Sequence, residues 1–259
     1  MVFFAAFTYC YIVLKPVRDF LEAGGVKINA AVPVFLLDFG FNRFFLMIFF
    51  IILLCDAPFI DEMQKMAVIR SGRICWGIGK VLYIIASGMI YVFSVYLFSW
   101  IILFPHIEFS AKWEKAVMTL SKTDASSQFG IGNIFFKGKI VDYFSPYQAA
   151  FFSFLLCFLA VVLLGLVIFA GNFANMTLKL GLITAMALAV LDIGISLSGV
   201  LSEKPITYFS PVTWSSLTII NIGGLGRTPD IVYICSMYGL LITALIICII
   251  FFCRRKQMD

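Results

Sequence analysis

The stretch CDAPFIDEMQKMAVIRSGRICWGIGK, from Cys55 to Lys80, is the densest run of charge between hydrophobic segments of this chain. Seven of its residues are charged, whereas one apolar segment ends just before it and a longer one begins just after it. A short charged helix between two membrane spans is typical of a contact surface on the water side of a bilayer. The pattern therefore predicts a helix that another protein contacts, and it does not indicate an active site.

The composition is that of a membrane protein. Hydrophobic residues make up 62% of the 259 positions, charged residues make up 13%, and the mean hydropathy is +1.04. Because a soluble domain carries about twice this charged fraction, we expect residues 1–259 to form a single all-α integral membrane domain in contact with lipid. The net charge of +5 is small and is spread over loops, which argues against nucleic acid as a partner.

Six segments have the apolar character and approximate length of a membrane span, which needs about 20 residues. The chain is apolar from its first residues, without a basic leader, so the first segment indicates a span and not a removable signal peptide. The second contains Arg43, whose side chain we expect to reach the membrane interface. The predicted spans are 2–20, 39–59, 81–104, 146–170, 180–200 and 231–252.

The distribution of basic residues predicts the orientation. An even number of spans places both termini on one side of the membrane. If that side is the cytoplasm, the inner segments 59–80, 171–179 and 253–259 hold eight of the 19 lysines and arginines in short stretches. Cytoplasmic loops carry an excess of positive charge, so we expect both termini, and the stretch from Cys55 to Lys80, to be cytoplasmic.

The tetrapeptide YFSP occurs twice, at Tyr143–Pro146 and at Tyr208–Pro211. Serine as N-cap and proline at the first helical position favour the start of a helix. The first copy would open the span 146–170. The second would open PVTWSSLTII, residues 211–220, which is apolar but too short to cross a bilayer. It predicts a short re-entrant or interfacial helix on the outer side, and the alternative is a surface loop with one helical turn.

The longest polar segment, residues 105–145, is expected to form a small outer cap or lid. Within it, WEKAVMTL predicts a helix, whereas SKTDASSQFGIGN is typical of turns. The only histidine of the chain, His106, falls in this segment, far from any other candidate catalytic group. We interpret it as a loop histidine.

Asp192 is the only carboxylate well inside a long predicted span. A charge inside a membrane is costly, so an intramembrane acid is a candidate functional group. The alternative is that Asp192 bonds a neighbouring helix near one interface. A role in proton transfer would need a partner, which the sequence does not reveal.

No motif for catalysis or metal binding stands out. Gly72–Lys80 lacks the Gly-Lys-Ser/Thr of a phosphate-binding loop, and we expect Gly72, Gly77 and Gly79 to form the turn into the third span. The acids between Asp56 and Glu62 have no metal-ligand spacing. The seven cysteines lie in or beside apolar segments without a CxxC pair, which predicts buried thiols. We expect no catalytic residue, metal or cofactor on this chain.

The charged stretch resembles a known family. Its layout is similar to that of the membrane subunits of bacterial ABC-2 type exporters, especially those of Gram-positive bacteria, and the six spans with short outer helices before the last one are similar too. Family members usually begin with a cytoplasmic amphipathic helix before the first span, whereas this chain begins inside the span. The similar residues are Asp56-Ala57-Pro58-Phe59, Arg70-Ser71-Gly72-Arg73, Trp76, Lys80 and Tyr83.

The resemblance implies a coupling helix at Ile60–Ile69 that docks into a cleft on a separate ABC ATPase subunit, which would bind the ATP. It also implies an outer gate that includes Pro211 and Trp214, and a second permease copy or paralogue in a bacterial cytoplasmic membrane. The implied ATPase-coupling residues are Phe59, Glu62, Lys65, Met66, Arg70 and Arg73.

The leading hypothesis is therefore a permease subunit of an ATP-driven exporter. Two alternatives stay open. One is an accessory or structural membrane subunit, and the other is an intramembrane enzyme that uses Asp192 or the acids of residues 56–62. A lipid, a peptide or a small hydrophobic compound would each suit an apolar pathway.

Overall fold

The computed structural model describes residues 1–58, 62–123, 126, 129–132, 135–174, 178–197, 205–222 and 228–255. This part of the chain is mostly helical, and four of its helices are long and apolar enough to cross a membrane. The structure thus fits an all-α membrane protein, as the composition predicts. In chain order the helices are α1 (Val2–Gly24), α2 (Pro33–Asp38), α3 (Gly40–Leu53), α4 (Glu62–Ser71), α5 (Arg73–Leu103), α6 (Lys115–Lys122), α7 (Gly138–Tyr143), α8 (Pro146–Ala174), α9 (Leu180–Leu197) and α10 (Ile231–Arg255).

Helix α8 is the centre of the bundle and contacts α5, α9 and α10. It begins at Pro146, as the first YFSP predicts, and its second half is buried on nearly all sides, whereas Tyr147 and Phe151 in its first turns are exposed. Its approach to α9 depends on two glycines. A Cβ atom on Gly181 would lie 2.2 Å from the carbonyl oxygen of Ile168, and one on Gly171 would lie 2.5 Å from the Cα of Gly181. Small residues therefore allow the two backbones to meet.

The first two predicted spans differ from the expectation, and neither is among the four long apolar helices. Helix α1 runs beside only the second half of α5, because the ring of Phe3 lies 6.2 Å from that of Tyr91 and the ring of Phe7 lies 5.3 Å from that of Phe98. The second predicted span is interrupted at Phe39, whose ψ of 116° is extended. Helix α3 therefore has only 14 residues.

Three connecting segments fold together at one end of the bundle, and we call their described residues within 25–38, 105–145 and 205–222 the cap. Strands β1 (Ile28–Asn29) and β2 (Ile107–Glu108) pair in parallel within it. Aromatic contacts join α2 to the middle segment, since the ring of Phe35 lies 4.7 Å from that of Phe136. The predicted helix in WEKAVMTL is present as α6, shifted slightly along the chain.

Residues 211–220, which we call the 3₁₀ segment, do not form the predicted short α-helix. They contain two separate 3₁₀ turns, Thr213–Ser215 and Leu217–Ile219, preceded by a third at Pro205–Phe209. The second YFSP therefore does not start an α-helix. Most of the segment is buried, including Trp214 at 1% exposure, so it is also not the surface loop of the alternative interpretation.

At the opposite end, α4 joins α5 through Gly72, whose φ of 81° is in the left-handed region that suits glycine. The predicted turn does not extend further, because Gly77 and Gly79 lie inside α5. Gly77 instead allows close packing: a Cβ atom there would lie 2.8 Å from Cys253 Sγ at the end of α10.

All seven cysteines are free thiols. The prediction that they are buried holds for three of them and is wrong for three others, which face outward from the long helices of this single chain. Cys10, Cys157 and Cys253 are buried, whereas Cys75, Cys235 and Cys248 are exposed.

Candidate functional site

A buried ion pair joins α3 to α9. Arg43 Nε donates to Asp192 Oδ2 at 3.0 Å, and Arg43 Nη2 donates to Asp192 Oδ1 at 2.7 Å. The side chains are 1% and 0% exposed. This is the two-point geometry that guanidinium and carboxylate groups favour. The expectation that Arg43 reaches the membrane interface is wrong, because its charge is paired inside the bundle.

The break before α3 places Arg43 in this position. Its Nη1 donates to the main-chain carbonyl of Asp38 at 3.2 Å, on the other side of the interruption at Phe39. The first turn of α3 also lies very close to α9, since a Cβ atom on Gly40 would lie 2.3 Å from Ser196 Oγ. That hydroxyl accepts a further hydrogen bond from Arg43 Nη2 at 3.3 Å.

Asp38 is the second buried carboxylate, and it binds the 3₁₀ segment. Its Oδ1 accepts hydrogen bonds from Ser216 Oγ at 2.6 Å and from the Thr218 amide at 3.0 Å, and its Oδ2 accepts one from Thr218 Oγ1. Lys137 Nζ, in the middle segment of the cap, lies 2.9 Å from the same Oδ2. Asp38 thus connects α2, the 3₁₀ segment and the residues before α7.

The surroundings of Asp38 stabilise its ionised form. Burial raises the pKa of this carboxyl, but the Lys137 ammonium and the hydrogen bonds from Ser216 and Thr218 together lower it by more. The resulting pKa is about 2, below the ordinary value of 3.8. Asp38 is therefore a charged structural anchor at neutral pH and is not suited to exchange protons there.

A second lysine also holds the 3₁₀ segment. Lys139 Nζ donates to the carbonyl oxygens of Thr218 and Ile220, the latter at 3.1 Å. Partial burial lowers the pKa of Lys139. We call these residues together with both buried carboxylates the polar network, which consists of Asp38, Arg43, Lys137, Lys139, Asp192, Ser196, Ser216 and Thr218.

The predicted gate residues lie next to the network, on the side of α10. Trp214 Nε1 donates to the Thr207 carbonyl at 2.6 Å, and its ring lies 5.3 Å from that of Tyr238. Tyr238 in turn donates to the carbonyl of Pro211. Pro211 and Trp214 therefore connect the 3₁₀ segment to α10. A displacement of α10 would move this part of the cap as well.

The predicted ATPase-coupling residues lie at the other end of the bundle. Glu62 and Lys65 fall on α4, while Met66 and Arg70 are exposed on it. Arg73 starts α5 and is also exposed. Phe59, and the first two residues of the predicted coupling helix Ile60–Ile69, lie outside the described residues; the helix observed is Glu62–Ser71. Within the described residues, α4 packs against α5, whereas Asp192 lies on α9.

Sequence reasoning singled out Asp192 but not its partner. Arg43 and Asp192 have opposite charges and lie within two predicted apolar spans, where an unpaired charge is costly. This pattern could have predicted that they pair. Within the described residues, no three His, Cys, Asp or Glu side chains are grouped as metal ligands would be. The polar network is thus an arrangement for holding helices and cap in one geometry, in which both oxygens of each buried carboxylate are engaged.

Comparison with family models, with curated proteins and with solved structures gives no match.

Proposed function

We propose that this chain is the permease subunit of an ATP-driven exporter, which forms half of a translocation pathway and is coupled to a separate ATPase through α4. The second half would be another copy or a paralogue, and the assembly would lie in a bacterial cytoplasmic membrane with both termini in the cytoplasm. The resemblance around α4 motivates the proposal, and the position of α4 supports it.

The exposed surface of α4 is the observation that carries the proposal. Met66 is 68% exposed and Ile69 is 81% exposed, next to the exposed Arg70. An apolar patch beside a basic residue suits a protein partner better than water, because exposed apolar area is costly and an arginine can pair with a partner carboxylate. Gly72, whose φ is positive, separates this helix from α5.

Helix α5 offers a path from α4 to the cap. With 31 residues it is about 46 Å long, which exceeds the roughly 30 Å of a hydrocarbon core. It contacts α1 beside its second half and also contacts α8 and α10, and the chain leaves it into β2, which pairs with β1 before α2. A displacement of α4 would thus be transmitted through α5 and the two paired strands to the segment that ends in Asp38.

In this proposal α3 and α1 supply two further crossings, for six in all. Helix α3 is about 21 Å long and continues through Phe39 into the cap, and α1 is about 34 Å long, against roughly 30 Å for a hydrocarbon core. The ion pair with Asp192 lowers the cost of placing the Arg43 charge inside the bundle. The density of basic residues near α4 and the end of α10 favours the cytoplasm for that side.

The test of this proposal is coupled ATP hydrolysis. The chain would be purified with a candidate ATPase subunit, and Arg70→Ala and a Met66→Ala/Ile69→Ala variant would be compared with Lys112→Ala, an exposed cap residue on the opposite side. We expect the α4 variants to lose assembly or coupled activity at least fivefold and Lys112→Ala to retain both. Unchanged assembly and activity in both α4 variants would refute the coupling role.

A second candidate is an accessory or structural membrane subunit, and the engagement of both buried carboxylates favours it over the intramembrane enzyme. A catalytic acid needs an oxygen that can reach substrate, whereas Asp192 binds Arg43 through both of its oxygens. The accessory subunit predicts that the α4 variants affect no ATPase at all, which the same experiment would reveal.

A further inference from the structure

The charged residues of helices α5, α8 and α10 have one sign and lie at one end of the bundle. None of the three helices contains an aspartate or a glutamate, and α8 contains no charged residue of either sign. The charged residues of the other two lie near the start of α5 and at the end of α10. They are Arg73, Lys80, Arg254 and Arg255. The three helices therefore give this end of the bundle a positive charge.

The start of α5 and the end of α10 are in direct contact. A Cβ atom on Gly77 would lie 2.8 Å from Cys253 Sγ, so the two helices are close at their charged ends. Arg73 and Lys80 lie four residues before and three residues after Gly77, which places them on the same face of α5. Arg254 directly follows Cys253 and is exposed. The cations of the two helices thus gather around one contact.

Lys80 and Arg254 mark the boundary of an apolar layer. No charged residue follows Lys80 in α5, over residues 81–103, and none precedes Arg254 in α10, over residues 231–253. Each of these stretches is about 34 Å long, close to the roughly 30 Å of a hydrocarbon core. Because both stretches end at the contact of Gly77 with Cys253, the two cations lie at the depth of the phosphate groups of a bilayer.

Trp76 fixes the position of the Lys80 side chain. The Lys80 ammonium lies 5.5 Å from the centre of the Trp76 ring, a distance at which the negative face of an aromatic ring attracts a cation. That ring is 6% exposed and packs against Phe169 and Phe173 of α8, each at 6.1 Å. Because the ring is itself held by α8, the ammonium is kept beside the helices at the membrane boundary.

Apolar side chains continue from Lys80 along α5. Tyr83 and Ile90 follow it at helical spacing on the same side of the helix, and they are 50% and 59% exposed. Both lie within the apolar layer. A ligand of this surface therefore combines an anionic group for the cations with a hydrocarbon chain for Tyr83 and Ile90, whereas a soluble anion offers only the first.

We propose that the contact of α5 with α10 binds an anionic phospholipid. Lys80 and Arg254 bind its phosphate group, and Arg73 adds positive charge. An acyl chain lies along Tyr83 and Ile90. This site goes beyond the proposed coupling role and does not depend on it, because it uses α5 and α10 and not the exposed surface of α4.

The charge of the site selects an anionic headgroup over a zwitterionic one. A zwitterionic headgroup carries a cation of its own, and the three helices offer no carboxylate to receive it. Asp56, an acid at this end of the bundle, is already paired with Lys179 at 3.3 Å. Basic residues next to membrane spans attract anionic lipids in the same way.

The test uses the purified full-length chain in detergent and native mass spectrometry, which measures the lipid bound to each molecule during a titration. The probes are a phosphatidylglycerol and a phosphatidylcholine with identical acyl chains, and inorganic phosphate is the competitor. We expect phosphatidylglycerol to bind at least about fivefold more tightly than phosphatidylcholine. Inorganic phosphate should not displace it, because it has no hydrocarbon chain.

Four variants locate the site. Lys80→Gln and Arg254→Gln should each weaken the binding of phosphatidylglycerol about fivefold, the factor for one basic residue at a membrane surface. Lys80→Arg keeps the charge and should bind like the unmodified chain. Lys179→Gln is the matched control, since it removes an equal charge at the same end that Asp56 already neutralises, and it should also bind like the unmodified chain.

Displacement by inorganic phosphate, or an equal loss in Lys179→Gln and Lys80→Gln, would overturn the proposal. So would unchanged binding in both Lys80→Gln and Arg254→Gln. If these cations served a protein partner in place of a lipid, the two phospholipids would bind equally, which would also overturn it. Arg254 is exposed near the end of α10, so its variant keeps the test decisive if Lys80→Gln does not fold.

Discussion

Arg43 and Asp192 lie 149 positions apart in the chain, yet their side chains form a two-point ion pair that is almost completely shielded from solvent. The guanidinium also binds the main-chain carbonyl of Asp38, whose own carboxylate holds the 3₁₀ segment. The pair therefore connects the packing of α3 on α9 to the position of the cap. Both oxygens of the Asp192 carboxylate are engaged by Arg43 in this pair.

The first prediction concerns the ion pair. Asp192→Asn or Arg43→Met should each lower the free energy of unfolding by about 3–5 kcal/mol, because each leaves one buried charge without its partner. The Arg43→Met/Asp192→Leu double variant should recover most of that loss, since well-packed apolar side chains can replace a buried pair. Denaturant unfolding of the detergent-solubilised chain measures all three values.

Additive losses in the double variant would contradict this interpretation. So would an Asp192→Asn protein that is as stable as the unmodified chain but has lost activity, which is the result that the intramembrane enzyme predicts.

The second prediction concerns the pH dependence of the cap. The pKa of Asp38 is about 2 in the folded chain and ordinarily 3.8, so its charge stabilises the fold above about pH 4, and this contribution disappears as the pH falls through 2. The difference is on the order of 2 kcal/mol. Stability measured between pH 5 and pH 2 should fall more steeply for the unmodified chain than for Asp38→Asn.

Asp142 provides a matched control for that titration. It pairs with Lys122 at 3.0 Å, but both side chains are about half exposed, so Asp142→Asn should change the stability by less than about 1 kcal/mol at any of these pH values. Equal pH profiles for Asp38→Asn and the unmodified chain would show that Asp38 is not held by the network.

The third prediction concerns the contact between α8 and α9. Gly181→Ala places a methyl group against the Ile168 carbonyl, which is main chain and cannot turn away, and should cost about 1–3 kcal/mol or more. Gly79→Ala, in open space on α5, should be neutral or stabilising by up to about 1 kcal/mol. Thermal unfolding of both variants checks this, and equal effects would argue against close packing at Gly181.

Local sequence patterns predicted the elements that depend on local chemistry. Helix α8 begins at Pro146 because proline has no amide hydrogen and the first position of a helix needs none. The uncharged sequence that follows favours a buried helix. The 3₁₀ segment was predicted wrongly, since its hydroxyl side chains and the Thr218 amide bind Asp38, a contact between distant parts of the chain. Arg43, the partner of Asp192, was also missed because it is distant in the sequence. The close packing at Gly77 and Gly181 likewise depends on which helices meet in the fold.

The fourth prediction concerns the orientation of the chain. In a variant whose seven native cysteines are replaced, a cysteine at Lys112 should react in intact cells with a membrane-impermeant maleimide, whereas a cysteine at Arg70 should react only after the cells are opened. The reason is that the cap and α4 lie at opposite ends of the bundle, with the denser basic residues on the α4 side. The reverse labelling pattern would place α4 outside the cell and exclude the proposed coupling role.

The most direct test of the central claim is photocrosslinking from α4 in native membranes. A benzoyl-phenylalanine at Met66 should crosslink to a protein that is retained on an ATP matrix and contains a phosphate-binding loop, whereas the same residue at Met118, 40% exposed on α6, should not. This result would show that α4 contacts an ATPase. Crosslinks from Met66 to lipid alone, or the same partners from both positions, would contradict the account.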